Sequence, residues 1–183
     1  MRIIAGRFKG RRLAAPTWEG LRPTSDKLRE TLFNVLAPRL ADARVLDLCA
    51  GTGSVGLEAL SRGAAAVVAV DADARAVALA RRNAETCGVS ADYTIQTGDV
   101  LTALPRLAAA GPFDIIYLDP PYAFARTREV LQAAAPLLHS DGLLVLERAT
   151  RAEPDVPEPL LRIRDIRSGD STLTLLVRRA EVP

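Results

Sequence analysis

Val45–Leu60 reads VLDLCAGTGSVGLEAL, and the fold turns on this stretch. A short apolar run, Val45-Leu46-Asp47-Leu48, leads into Gly51, Gly53 and Gly56, spaced G-x-G-x-x-G. Ser54–Arg62 then follows with helical spacing. Glycine tolerates positive φ and lets a ligand approach the backbone, so three glycines in this register suit a strand-to-helix turn that holds a nucleotide-type cofactor. If the turn needed glycine only for its dihedrals, one or two would suffice.

Working outward, further apolar runs alternate with helix-period segments. The runs are Arg44–Cys49, Ala66–Asp71, Asp92–Gln96, Phe113–Leu118 and Gly142–Glu147. They are short, nearly continuous in hydrophobicity and rich in Val, Ile and Leu, as strands buried on both faces of a parallel sheet are. Between them Ser54–Arg62, Ala74–Cys87, Val100–Ala109 and Arg126–Leu138 carry Ala and Leu at helical spacing. The alternation predicts a doubly wound α/β fold with right-handed crossovers. Leu161–Ile166 and Thr172–Arg178, separated around Gly169-Asp170, predict an antiparallel hairpin that closes the sheet. That makes seven strands. At the front, Arg2–Ala5 and Arg11–Ala14 predict a small basic β-hairpin, and Ser25–Leu36 a helix capped by Thr24 or Ser25. The expected organisation is one domain over residues 1–183, with the hairpin and following loop in 1–24 and the helix and core in 25–183.

The 183 residues include 49% hydrophobic and 25% charged side chains, an ordinary globular mixture. No apolar run approaches a membrane span, and the first residues lack an apolar signal-peptide core, so the expectation is a cytoplasmic protein. Two cysteines and one histidine exclude a disulfide framework and a His/Cys metal cluster. The net charge of +2 is uneven. Residues 1–30 hold eight basic and three acidic side chains, while the remainder holds 16 and 19. A basic segment on a mildly acidic body points to an anionic partner, weighed against an ordinary solvated face.

The carboxylates choose the cofactor. Asp71 ends the second run about 20 residues after Gly51, where a carboxylate can accept from ribose hydroxyls of either NAD or S-adenosylmethionine. Asp47, four residues before Gly51, separates the two: it would repel a pyrophosphate but suits an ammonium and a sulfonium. Asp99 can accept from an adenine amino group and can also cap the helix that starts at Val100, and the two roles can coexist.

The fourth run ends in Asp119-Pro120-Pro121-Tyr122. In an open α/β sheet the ligand crevice lies beyond the strand carboxyl ends at the switch in strand order, which puts Asp119 beside the glycine turn. An exocyclic amino group on a base is a poor nucleophile, because its lone pair is delocalised into the ring. Acceptors that hold its two N–H bonds can aim that lone pair. Asp119 supplies one and the Pro120 carbonyl another, the two prolines stiffen the corner, and Tyr122 offers a stacking face. The competing structural reading is a rigid turn with a capping aspartate. Tyr117 and Phe124 read as packing residues, and Cys49 as buried filler in the first strand.

The stretches RIIAGRFKGRRLAAP (2–16), LRPTSDKLRETLFNVL (21–36), VLDLCAGTGSVGLEALSRGA (45–64) and LDPPY (118–122) together resemble the bacterial RsmD family. These are S-adenosylmethionine-dependent enzymes that methylate guanine N2 in 16S ribosomal RNA. The resemblance implies a class I methyltransferase sheet, mostly parallel and seven-stranded, with the last strand antiparallel. It implies S-adenosylmethionine as cofactor, held by Asp47, Ala50, Gly51, Gly53, Asp71 and Asp99, with Arg22, Pro23 and Thr24 as a loop over the mouth. Asp119, Pro120, Pro121 and Tyr122 carry over as the base clamp. Arg7, Lys9, Arg11, Arg12 and Arg22 become contacts to the RNA backbone, the substrate being the small subunit or an assembly intermediate, and the enzyme is expected to be a monomer. The alternatives weighed against this are adenine-N6 methylation of DNA, which uses the same DPPY corner, an NAD-dependent oxidoreductase, and an RNA-binding module without catalysis.

Overall fold

The computed structural model describes residues 1–19, 24–121 and 124–179. Seven strands form one sheet: β1 (Arg44–Leu48), β2 (Ala66–Asp71), β3 (Tyr93–Thr97), β4 (Phe113–Leu118), β5 (Leu138–Ala149), β6 (Leu160–Ser168) and β7 (Ser171–Arg178). Their order is β3-β2-β1-β4-β5-β7-β6. β1 to β5 run parallel, and β7 lies antiparallel between β5 and β6. The expected closing hairpin and reversed last strand are both present.

Five helices cover the faces: α1 (Asp26–Leu36), α2 (Ser54–Ser61), α3 (Ala74–Cys87), α4 (Val100–Leu107) and α5 (Thr127–Ala134). Strand side chains alternate between two cores, as a parallel sheet buried on both sides requires. On one face Val45, Val67, Ile115, Tyr117 and Val145 pack with α1, α2, α3 and the N-terminal segment. On the other, Leu46, Val70, Ile116, Leu118 and Leu146 pack with α4 and α5. Ser25 caps α1, its hydroxyl accepting from the Leu28 N–H at 3.2 Å. Gly88, at φ 71°, ends α3 in a left-handed cap.

Local chemistry shifts some predicted boundaries. α4 tightens after Leu107 into a 3₁₀ turn over Ala108–Ala110. α5 stops at Ala134 rather than Leu138, because Pro136 follows within the 3₁₀ turn Ala135–Leu137. β5 begins at Leu138 rather than at the expected Gly142, and its register against β4 jumps from Phe113↔Leu138 to Ile115↔Leu143. The bulge absorbs the extra residues without ending the strand. Cys49 lies just beyond β1, at φ 64°.

The N-terminal segment turns back on itself as a short antiparallel pairing: Arg2 and Arg12 form a bridge, and the Ile3 and Leu13 N–H groups donate to the Arg11 and Met1 carbonyls at 2.9 and 3.2 Å, so the expected hairpin is present in shortened form. It is docked through its side chains and loop backbone. Ile3, Phe8 and Leu13 are buried, and the Glu58 carboxylate accepts from the Ile4 and Ala5 N–H groups at 2.8 and 2.9 Å. The Ser61 hydroxyl donates to the Ala5 carbonyl at 2.6 Å and accepts from the Phe8 N–H at 3.0 Å. Asn83 Oδ1 accepts from the Ala14 N–H at 2.8 Å.

Candidate active site

The order of the sheet reverses between β1 and β4, and chain from both strand tips meets there. The Asp119 N–H donates to the Leu48 carbonyl at 3.2 Å, so the DPPY corner starts beside the glycine turn. Asp47 and Tyr117 are register partners on the same face. Asp47, Asp71, Asp99 and Asp119 all act electrostatically on Cys49, which lies among them. Burial first, and then these four carboxylates, push its thiol up to about 12, too high for a nucleophilic role.

Each aspartate has a distinct environment. Asp47 is 1% exposed, and its Oδ2 accepts from the Gly56 N–H at 3.2 Å. Burial, partly offset by that bond and reinforced by Asp71, pushes its carboxyl up to about 7. Its Oδ1 is buried with no hydrogen-bond partner among the described residues. Asp71 holds the turn itself: Oδ2 accepts from the Gly51 N–H at 2.7 Å and Oδ1 from the Asp73 N–H at 2.9 Å. Each oxygen keeps a second lone pair, so the carboxylate both shapes the loop and stays able to accept from a ligand. Asp99 caps α4, accepting from the Thr102 N–H at 3.2 Å, and pairs with Arg126 at 2.6 Å. The Arg126 bond is the main reason its carboxyl sits below the usual range. Asp99 thus serves as the cap of α4, a role that can coexist with the expected adenine contact.

The glycines have inward reasons as well. A Cβ on Gly53 would lie 2.6 Å from Tyr93 Oη, and one on Gly56 would lie 2.8 Å from both the Tyr93 ring and Val67. Gly53 also has φ 75°. The turn is therefore packed down onto Tyr93, whose Oη is buried with no partner among the described residues. Two orphaned polar atoms, Asp47 Oδ1 and Tyr93 Oη, flank the turn from below. Such groups call for a polar occupant nearby.

Asp119 is partly buried, and its carboxyl is raised well above the usual range by burial, then by Glu147 and Asp47. The Thr24 side chain hydrogen-bonds to it and works in the opposite direction. Thr24 thus joins the Asp119 side of the cleft. Pro120 is buried and Pro121 exposed, and the Pro121 carbonyl accepts from the Phe124 N–H at 2.8 Å. Tyr122, Arg22 and Pro23 lie outside the described residues.

Sequence reading missed Glu147. It is 6% exposed at the tip end of β5, on the face of Asp47 and Tyr117. Tyr117 Oη donates to its Oε2, and Ser171 Oγ donates to its Oε1 at 3.3 Å. The available signal was an apolar run ending in an acid, GLLVLE, in parallel with FDIIYLD one strand away. Tyr117, read as packing, is the residue that orients it.

The basic residues are not gathered at this cleft. The Arg7 N–H donates to the Ser61 carbonyl at the C-terminal end of α2, and Arg11 Nη1 donates to the Thr86 carbonyl near the end of α3. Both helices start near the glycine turn and run away from it. Eight residues of α2 put the tip of the segment about 12 Å below the turn. Lys9 and Arg12 are exposed, and Arg7 and Arg11 flank the Phe8 ring at 4.6 and 5.2 Å.

What the cleft can take follows from its charge. Four aspartates gathered at these strand tips disfavour a pyrophosphate, and a cation beside them would favour the ionised forms of Asp47 and Asp119, which burial pushes toward protonation. Among the described residues no group of His, Cys, Asp and Glu could hold a metal ion. No helix among them is long and apolar enough to cross a membrane.

Comparison with known proteins agrees with this geometry. The family model described as Conserved hypothetical protein 95 matches residues 1–177. Ribosomal RNA small subunit methyltransferase D of Escherichia coli is 38% identical over 87% of this chain and 77% of its own. The protein of that name from Haemophilus influenzae is 35% identical over 88% and 82%. A solved structure of a hypothetical protein from Thermus thermophilus superposes with a TM-score of 0.82 at 32% identity, covering 98% of this chain and 99% of that one. With the class I methyltransferase sheet, the carboxylate-lined turn and the Asp119-Pro120-Pro121 corner in place, this chain belongs to the Conserved hypothetical protein 95 family, the family of the small subunit methyltransferase D proteins.

Proposed function

We propose that this protein is an S-adenosylmethionine-dependent ribosomal RNA methyltransferase, and that it methylates the exocyclic N2 of a guanine in 16S RNA of the small subunit. The observation that carries the reading is the junction of Asp119 with Leu48, which sets the acceptor corner against the carboxylate-lined glycine turn. When bound, S-adenosylmethionine supplies an electrophilic methyl carbon that an amine nitrogen can attack, the electrons of the broken C–S bond staying on sulfur.

The chain's own residues do the rest. Asp47, with Ala50, Gly51 and Gly53 around it, gives the donor's ammonium an anionic, desolvated floor. Asp71 accepts from ribose hydroxyls while it holds the Gly51 N–H. Asp99 borders the adenine end through the face left by its cap and Arg126. Thr24 anchors the start of α1 at Asp119. The Asp119 carboxylate and the Pro120 carbonyl accept the two N–H groups of the target amine, turn its lone pair toward the methyl carbon, and stabilise the positive charge that grows on nitrogen. Asp119 then takes the proton that the methylated amine gives up. Tyr122 would stack on the base, while Arg7, Lys9, Arg11, Arg12 and Arg22 would hold the flanking backbone.

Isolated small subunits from a strain lacking this activity should accept labelled methyl groups, with the label recovered as N2-methylguanine. Calorimetry should show binding of S-adenosylhomocysteine and none of NADH. Label recovered in duplex DNA as N6-methyladenine, or binding of NADH alone, would refute the assignment.

A further inference from the structure

The DPPY corner accounts for two of the donors on a guanine edge and leaves one over. Guanine presents the N2 amino group and, directly beside it, the N1–H. Once the base is withdrawn from water, an N1–H without an acceptor would cost more than its hydrogen bond is worth. Asp119 and the Pro120 carbonyl are both committed to the amino group, so a third acceptor is needed on the same side.

Glu147 stands where that acceptor is needed. Leu118 of β4 and Leu146 of β5 are register partners, so Asp119 and Glu147 leave adjacent strands at the same level. Adjacent strands lie about 4.8 Å apart. Glu147 shares the face of Tyr117, and the Tyr117 hydroxyl and Ser171 each bond a different carboxylate oxygen. Those two bonds fix the direction of the carboxylate. Its negative charge is felt at Asp119, which places the two groups in one electrostatic neighbourhood.

We infer that Glu147 is a specificity-determining residue that accepts the N1–H of the target guanine, with Tyr117 and Ser171 as its positioning residues. The inference rests on the guanine-N2 reading above. Two carboxyl groups on neighbouring strand tips then match the two adjacent donors of guanine. Adenine, and any purine with a lone pair at N1, would set that lone pair against the Glu147 carboxylate. The DPPY corner alone serves amino groups on several bases, and Glu147 would be what selects among them.

The test presents the full-length enzyme with two reconstituted small subunits, one whose 16S RNA carries guanine at the mapped target and one that carries 2-aminopurine there. 2-Aminopurine keeps the 2-amino group and carries a lone pair at N1. Wild type should prefer guanine in kcat/KM by roughly tenfold or more. In Glu147→Gln the side-chain amide can turn its N–H toward that lone pair, so the preference should fall by roughly tenfold or more while S-adenosylhomocysteine binding stays at the wild-type level. A preference unchanged in Glu147→Gln overturns the inference. So does a wild type that methylates both substrates equally, a result that does not depend on the variant folding. A wild type that methylates neither subunit refutes the guanine-N2 reading itself, and the two failures are thereby told apart.

Discussion

Asp47 shows how one side chain ties stability to ligand binding. Its carboxyl is pushed up to about 7, chiefly by burial. The unfolded chain therefore loses this proton at lower pH than the folded one. The folded state binds more protons between the ordinary carboxylate range and about pH 7, so this group's contribution is fully present below the ordinary range and is lost as pH rises through 7. The loss should amount to a few kcal/mol at most, on the order of the shift itself. Urea unfolding of wild type at about pH 5 and about pH 8 should show stability falling with pH, and Asp47→Asn should flatten that fall. Binding should run the other way. A cationic group beside Asp47 favours the ionised carboxylate, so S-adenosylhomocysteine should bind more tightly as pH rises through 7 and release protons as it binds. Asp47→Asn should weaken binding and abolish the proton release, which calorimetry in buffers of different ionisation enthalpy measures directly.

Among the elements, the N-terminal segment comes closest to its neighbour at Gly6. A Cβ on Gly6 would lie 1.8 Å from the Ser61 carbonyl oxygen, and Gly6 has φ 82°. Gly10 has φ 84° but open space around the same position. Gly10→Ala should therefore cost only the left-handed backbone, about 1 kcal/mol. Gly6→Ala should cost about 2 kcal/mol or more, because the segment must lift away from Ser61 and Glu58. Thermal unfolding of the two variants checks the contrast, and equal shifts would contradict it. The same segment marks the limit of sequence reading. Strands β1, β2 and β4 were legible because each is a short apolar run ended by an acid or a glycine turn, and that pattern also placed Asp47, Asp71 and Asp119 at their carboxyl ends. The docking of the N-terminal hairpin was not, because that segment is held by Glu58, Ser61 and Asn83, whose helical positions look like ordinary polar sites until the docking partner is in place. Glu147 escaped for a related reason: its meaning depends on the β4–β5 register, which no local pattern records.

At the scale of the whole molecule, the strand tips and the docked end of the basic segment lie at different ends of one helical face. The DPPY corner starts at the strand tips, while Arg7 and Arg11 dock at the far ends of α2 and α3. RNA held by both would have to run along that face for at least the length of α2, about 12 Å. Lys9→Ala with Arg12→Ala should weaken RNA binding and reduce its salt dependence by about two in the log–log slope, leaving S-adenosylhomocysteine affinity unchanged. Filter binding across a salt series reads both quantities. The account as a whole rests on Asp119 acting on the amine and not on the donor. The most direct measurement is single-turnover methyl transfer to small subunits by Asp119→Ala, with S-adenosylhomocysteine affinity measured on the same protein. The predicted result is a chemical step slowed by about 10²-fold or more with affinity close to wild type. A variant that transfers methyl groups at the wild-type rate would contradict it.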